Sequence, residues 1–184
     1  EDWGLDGYFW ISYYDKHCGH HPEMGAITFR NVEPMQYEYV YYHDYHGNRD
    51  VIEEVNGVFN KFIAGGDELL KAVNFYTAAD DVDYMLVIYD DFIDGQLENE
   101  LSQISGTLET RGLHTLDLDD FVTVSEGEDF YVYLSLSDGG YSYDRTSDVP
   151  VLLGAKYRTI VESAANPDES YYMPGNEWLD FYDY

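Results

Sequence analysis

Basic residues are scarce: nine lysines and arginines stand against 37 aspartates and glutamates, a formal charge of −28. Such a charge repels nucleic-acid phosphates and anionic lipid headgroups, which excludes nucleic acid as a partner class. Cysteine occurs once, as Cys18, so no intramolecular disulfide forms, and no CxxC, CxxCH or zinc-finger spacing is present. No apolar run of 18 residues exists, so no membrane-spanning helix is predicted. There is no tandem repeat of fixed period either. The chain starts at Glu1-Asp-Trp without a methionine, so any signal peptide is expected to lie upstream or to have been removed.

What is abundant is acid and aromatic surface. The acids are scattered, as in Asp80, Asp81, Asp90, Asp91, Asp117, Asp119, Asp120, Glu126 and Glu128, which reads as a solvated face and not a tail. With only four lysines, such a surface suits a salty or a cation-rich extracellular milieu. A chain of 184 residues buries about 70% of its unfolded surface in one core, so no disulfide or metal staple is needed.

The strongest strand signals are Leu69–Thr77 and Val82–Asp90, two runs rich in valine, isoleucine and tyrosine separated by Ala78-Ala-Asp-Asp81. They are read as a β-hairpin at the centre of the fold. Further strands are predicted at residues 7–14, 26–30, 37–44, 58–63, 104–109, 114–118, 121–124 and 130–136. Glu98–Gln103 is read as one helical turn, and Asp94-Gly95 as a chain reversal. Extended segments are expected at 151–158 and 170–178, with a loop over 141–150. Short strands at intervals of roughly 10 residues, with Gly, Asp and Pro turns, predict an all-β antiparallel sandwich with an N-terminal strand extension.

Two resemblances add to this reading. Trp3-Gly-Leu-Asp-Gly-Tyr8 followed by Phe9-Trp-Ile-Ser12, with Ala26–Pro34, resembles the closing strands of a papain-like cysteine peptidase domain. In that family the triad asparagine lies before this tryptophan, and the nucleophilic cysteine and the histidine lie earlier still. All three would fall upstream of residue 1, and Cys18 lacks the nucleophile's flanking sequence, so the chain is expected not to be an enzyme. Phe62-Ile-Ala, Asp67–Thr77, Gly112–Leu118, Glu126–Val132 and Glu169–Tyr172 are similar to the lectin-like β-sandwich module appended to some bacterial and archaeal papain-like peptidases. The order of peptidase tail and then module is the one that family shows. The resemblance implies a tail over residues 1–35, a lectin-like domain over 36–184, and a binding role on a secreted or cell-surface protein.

The candidate chemistry is aromatic first. Tyr131, Tyr133, Tyr141, Tyr143, Asp144 and Trp178 are candidates for a glycan platform, because flat rings stack on sugars and carboxylates accept their hydroxyls. The alternative is that these amphipathic tyrosines simply fill a half-exposed sheet face. Asp90, Asp91 and Asp94 around the Gly95 turn offer hard oxygens that suit Ca²⁺, though not at EF-hand spacing. His17, Cys18, His20 and His21, with His43 and His46, are ligand types for a transition metal if they converge in space. The expected function is a non-catalytic module binding carbohydrate or a surface protein. The alternative is a structural subunit of an extracellular filament or surface assembly, self-associating through the N-terminal strand.

Overall fold

The computed structural model describes residues 10–19, 24–25, 28–151 and 159–184. The chain divides into two units, Glu1–Val40 and Tyr41–Tyr184. In the first, β1 (Cys18–Gly19) pairs in parallel with β2 (Met24–Gly25). Asp15 Oδ1 accepts the N–H groups of His17 and Cys18 at 2.9 and 2.7 Å, which fixes the turn into β1. Residues 10–14 and 28–30 hold no strand, against expectation; residues 7–9 and 26–27 lie outside the described ones. Alternating side chains make a strand only where a neighbouring strand takes up the backbone N–H and C=O groups.

The second unit runs β3 (Asp50–Ile52), β4 (Val58–Ile63), β5 (Glu68–Thr77), β6 (Val82–Ile93), β7 (Gln96–Leu108), β8 (Gly112–Val124) and β9 (Asp129–Leu136). It continues with β10 (Tyr141–Tyr143), β11 (Ser147–Val151), β12 (Thr159–Ser163), β13 (Ser170–Tyr172), β14 (Leu179–Asp180) and a 3₁₀ turn at Phe181–Asp183. Asp94 and Gly95 join β6 to β7 with φ of 51° and 78°. Two successive positive φ values are what a two-residue type I′ turn needs, and Ile93 pairs with Gln96 across it.

Six strands form one sheet in the order β14-β13-β4-β9-β6-β7, with every pairing antiparallel. Facing it, β5 pairs antiparallel with β8. Period-two alternation sends Phe62, Leu86, Ile88, Ile104, Phe130, Val132 and Leu134 from the large sheet onto Leu70, Val73, Phe75, Leu116, Leu118, Val122 and Val124 from the small one. That layer is the core of an all-β sandwich.

The central hairpin is corrected. β5 pairs with β8, and β6 with β7 and β9, so Ala78–Asp81 carries the chain from one sheet to the other. Both strands aim apolar side chains at the same core, and strands that meet across a core belong to opposed sheets. Asp81, at φ 54°, and the Asp80 carboxylate, which accepts the Arg111 N–H at 2.8 Å, shape the crossing. Glu98–Gln103 is strand β7 and not a helical turn: as the sheet's outermost strand it is charged on its exposed positions and so shows no apolar alternation. Residues 37–44 form no strand. Tyr41 instead lies edge-on to Phe130 at 5.3 Å, its hydroxyl donating to Glu68 and accepting from the Gly65 N–H.

A candidate binding face on the large sheet

The side chains that alternate with the core residues point to the other face of the six-stranded sheet. β4 contributes Phe59 and Lys61, β9 contributes Tyr131 and Tyr133, β6 contributes Val87 and Tyr89, and β13 contributes Tyr171. Register sets Tyr171, Phe59, Tyr133 and Val87 in one row across four strands, and Lys61, Tyr131 and Tyr89 in the next.

This face is a second packed layer. Phe59 is 1% exposed and Tyr131 7%. Phe59 is its hub: Tyr171 stacks on it at 4.5 Å, Trp178 meets it edge-on at 4.6 Å, and Phe92 and Tyr131 lie at 5.0 and 5.9 Å. Around the hub, Phe92, Tyr133, Tyr171 and Trp178 remain half-buried. Tyr133 stands perpendicular to Trp178 at 6.0 Å.

Polar groups rim the rings. Lys61 Nζ pairs with Asp129 Oδ2 at 2.7 Å and lies 6.0 Å from the Tyr131 ring centroid. The Asp129 hydrogen bond pushes the Lys61 ammonium up, so it stays charged. Tyr171 donates its hydroxyl to Asp168 at 2.9 Å. Burial first, then that bond and the Asp168 charge, push the Tyr171 hydroxyl far above the usual tyrosine range.

Gly57 fixes one ring. A β-carbon there would come within 2.7 Å of the Tyr133 ring, so only glycine lets that ring lie against the backbone. Gly57→Ala should therefore turn the Tyr133 ring outward, and should cost less than about 1 kcal/mol because a flexible ring edge is what moves. Tyrosine ring shifts in NMR spectra, read beside the thermal midpoint, check this.

The six expected platform residues fall in four places. Tyr131, Tyr133 and Trp178 converge on this face. Tyr141 is buried on β10, its hydroxyl accepting the Leu136 N–H at 3.0 Å, which leaves no ring face for a ligand. Tyr143 stacks with Phe181 at 5.4 Å and meets Tyr184 edge-on at 5.6 Å, next to Tyr172 in a cluster that ties down the C-terminal turn. Asp144 is buried against His46. Phe59, Phe92 and Tyr171 were missed. Phe59 was findable, because Phe59 and Phe62 sit three apart in one strand and so must face opposite sides.

The candidate metal ligands are also placed. Asp90 and Asp91 are consecutive residues of β6; Asp91 accepts the Asn99 amide at 2.6 Å, and Asp94 sits in the turn. Among the described residues no three His, Cys, Asp or Glu side chains converge as ion ligands. His43 stacks on Phe62 at 4.6 Å with Nε2 2.8 Å from the Lys61 carbonyl, so it and His46 have separate partners. His20 and His21 lie outside the described residues.

The lectin-like domain family model matches residues 40–184. Among solved structures, the cysteine protease and lectin-like domains of Cwp84, a surface-layer-associated protein of Clostridium difficile, align at 19% identity with a TM-score of 0.45. That alignment covers 67% of this chain and 27% of the other. No curated protein matches the sequence.

Proposed function

Because the chain belongs to the lectin-like domain family, we propose that it is a non-catalytic extracellular module of a papain-like peptidase-related protein, and that the outer face of its large sheet binds carbohydrate. One observation carries this reading: four half-buried rings, Phe92, Tyr133, Tyr171 and Trp178, surround a buried phenylalanine and are flanked by the Asp129 and Asp168 carboxylates. Held rings lose little rotamer entropy on binding, and sugar C–H faces stack on them while carboxylates accept the hydroxyls. A domain boundary between residues 35 and 40 fits the family match. A glycan array, with thermal-shift screens of polysaccharides with and without Ca²⁺, tests the reading. Retention of a polysaccharide and a raised midpoint are expected; no response to any glycan would remove the support for carbohydrate, and thiol-dependent peptidase activity would overturn the non-catalytic assignment.

A second reading, a structural subunit of a surface assembly, is favoured by Trp10, Tyr13, Tyr14 and Phe29, which are exposed in the N-terminal unit. Exposed aromatics in one short segment mark an interaction surface. Sizing chromatography of the full chain and of a chain lacking residues 1–34 separates the two readings. Identical monomeric elution of both excludes this segment as the basis of assembly.

A further inference from the structure

The turn at residues 43–47 is joined to the C-terminal third of the domain by a polar cluster that the aromatic face does not use. The side chains of His46 and Asp144 are each only 4% exposed. His46 Nδ1 lies 3.1 Å from Asp144 Oδ1, and Nε2 lies 2.7 Å from the Val161 carbonyl oxygen on β12. The backbone N–H of His46 donates to Asp144 Oδ2 at 2.8 Å, and that of Arg145 to Oδ1 at 2.8 Å. The Ser163 hydroxyl reaches the same carboxylate.

The charged groups around the ring come from two elements. The turn supplies Asp44, whose Oδ1 accepts the Asp144 N–H at 3.1 Å. The link from β10 to β11 supplies Asp144 and Arg145, and the Arg145 guanidinium is taken by Asp50. β11 offers the Ser147 hydroxyl, 3.4 Å from Nδ1, and β12 offers only the Val161 carbonyl and the Ser163 hydroxyl.

Histidine, aspartate and serine together invite comparison with a hydrolytic triad, but the geometry is wrong for one. In a triad one ring nitrogen faces the carboxylate and the other is open to the nucleophile. Here Nε2 is closed by a backbone carbonyl, and Ser147 lies on the carboxylate side, so no nitrogen is free to take a hydroxyl proton.

What the geometry does demand is two N–H donors. A carbonyl and an ionised carboxylate only accept, and a neutral imidazole carries a single N–H. With one proton, one ring nitrogen would aim its lone pair at an oxygen. We propose that His46 is held as a buried imidazolium, and that it is a pH-sensitive clasp docking the β11–β12 hairpin against the 43–47 turn. β11 and β12 pair only with each other among the described strands, so this cluster is what ties them to the turn. The sign is fixed: the clasp is closed while the ring is protonated and opens as rising pH removes that proton. On the acid side the two carboxyls of the cluster differ, because burial pushes the Asp44 carboxyl up. Burial alone would raise the Asp144 carboxyl, but the His46 N–H, the Ser163 hydroxyl and the Arg145 N–H outweigh burial and hold it below the ordinary range.

Two measurements on the intact chain test this. Nitrogen-15 spectra of the histidine rings should show both His46 nitrogens protonated at about pH 6. Amide exchange in β12, corrected for base catalysis, should be about tenfold faster near pH 9 than near pH 6, the effect of losing one hydrogen bond to a charged partner. His46→Phe and Asp144→Asn should abolish that step. A singly protonated ring at pH 6, or the same exchange step in His46→Phe, would overturn the proposal; should both variants fail to fold, the ring spectrum of the native chain decides alone.

Discussion

Phe59→Ala is expected to destabilise the domain by about 3 to 5 kcal/mol, the range for truncating a fully buried phenylalanine. The usual point substitution costs about 1 kcal/mol. Phe59 does not lie in the inter-sheet core, yet it is 1% exposed and contacts four other rings. Ring pairs contribute about 0.5 to 1.5 kcal/mol each beyond area burial, so losing the hub removes the transfer energy and leaves Trp178, Tyr171, Phe92 and Tyr131 around a hole. For a domain of this size the midpoint should fall by roughly 10 °C. Phe59→Leu should recover much of that loss, because it keeps most of the volume. Calorimetric midpoints of the two variants check this. A loss below about 1 kcal/mol for Phe59→Ala would mean that the outer face is not a packed layer.

The reasons why part of this was legible in the sequence are local. Val58–Ile63 and Phe130–Leu136 were read nearly to their boundaries, because apolar alternation and β-branched or aromatic residues carry the strand signal by themselves. Asp94-Gly95 was read because its turn chemistry is carried by two residues. Pairing was not legible. Leu69–Thr77 and Val82–Asp90 look like hairpin arms, but their partners are set by which faces must meet across the core. β7 was hidden by Glu98, Asn99 and Glu100, acceptable on an outermost strand and uninformative as a pattern. The platform divided because periodicity gives a residue's face and not what covers it: alternation along β9 sets Tyr131 and Tyr133 opposite Phe130, Val132 and Leu134, while the side chains of Tyr141 and Asp144 are buried. His46 and Asp144 are separated by 98 positions, and no local motif links them.

Stability is expected to rise strongly with ionic strength. The formal charge of −28 means that bringing the chain together concentrates like charge. At about 0.01 M salt the Debye length is about 30 Å and repulsion acts across the whole domain; at about 1 M it is about 3 Å and acts only between neighbours. Screening also weakens ion pairs such as Lys61–Asp129. With 37 acids against nine bases, relief of repulsion outweighs that loss. The thermal midpoint should therefore climb through an NaCl titration, with CaCl₂ and MgCl₂ acting at lower concentrations. A midpoint flat in NaCl would contradict the salt-adapted reading. Coinciding Ca²⁺ and Mg²⁺ curves would indicate counterion screening alone, whereas a separate Ca²⁺ rise that Asp90→Asn and Asp94→Asn remove would mark a specific calcium site.

The claim that the outer aromatic face is a carbohydrate site is tested most directly by calorimetric titration of one polysaccharide retained on the array, with the native chain, Trp178→Ala and Tyr133→Leu side by side. Stacking a ring on an aromatic side chain is worth a large part of a weak site's affinity, and Tyr133→Leu keeps the apolar bulk while removing the flat face. The expected result is saturable binding by the native chain and at least about a tenfold loss in both variants, equivalent to about 1.4 kcal/mol, with folding retained in Tyr133→Leu. Undiminished affinity in both variants would contradict the assignment of the site to this face.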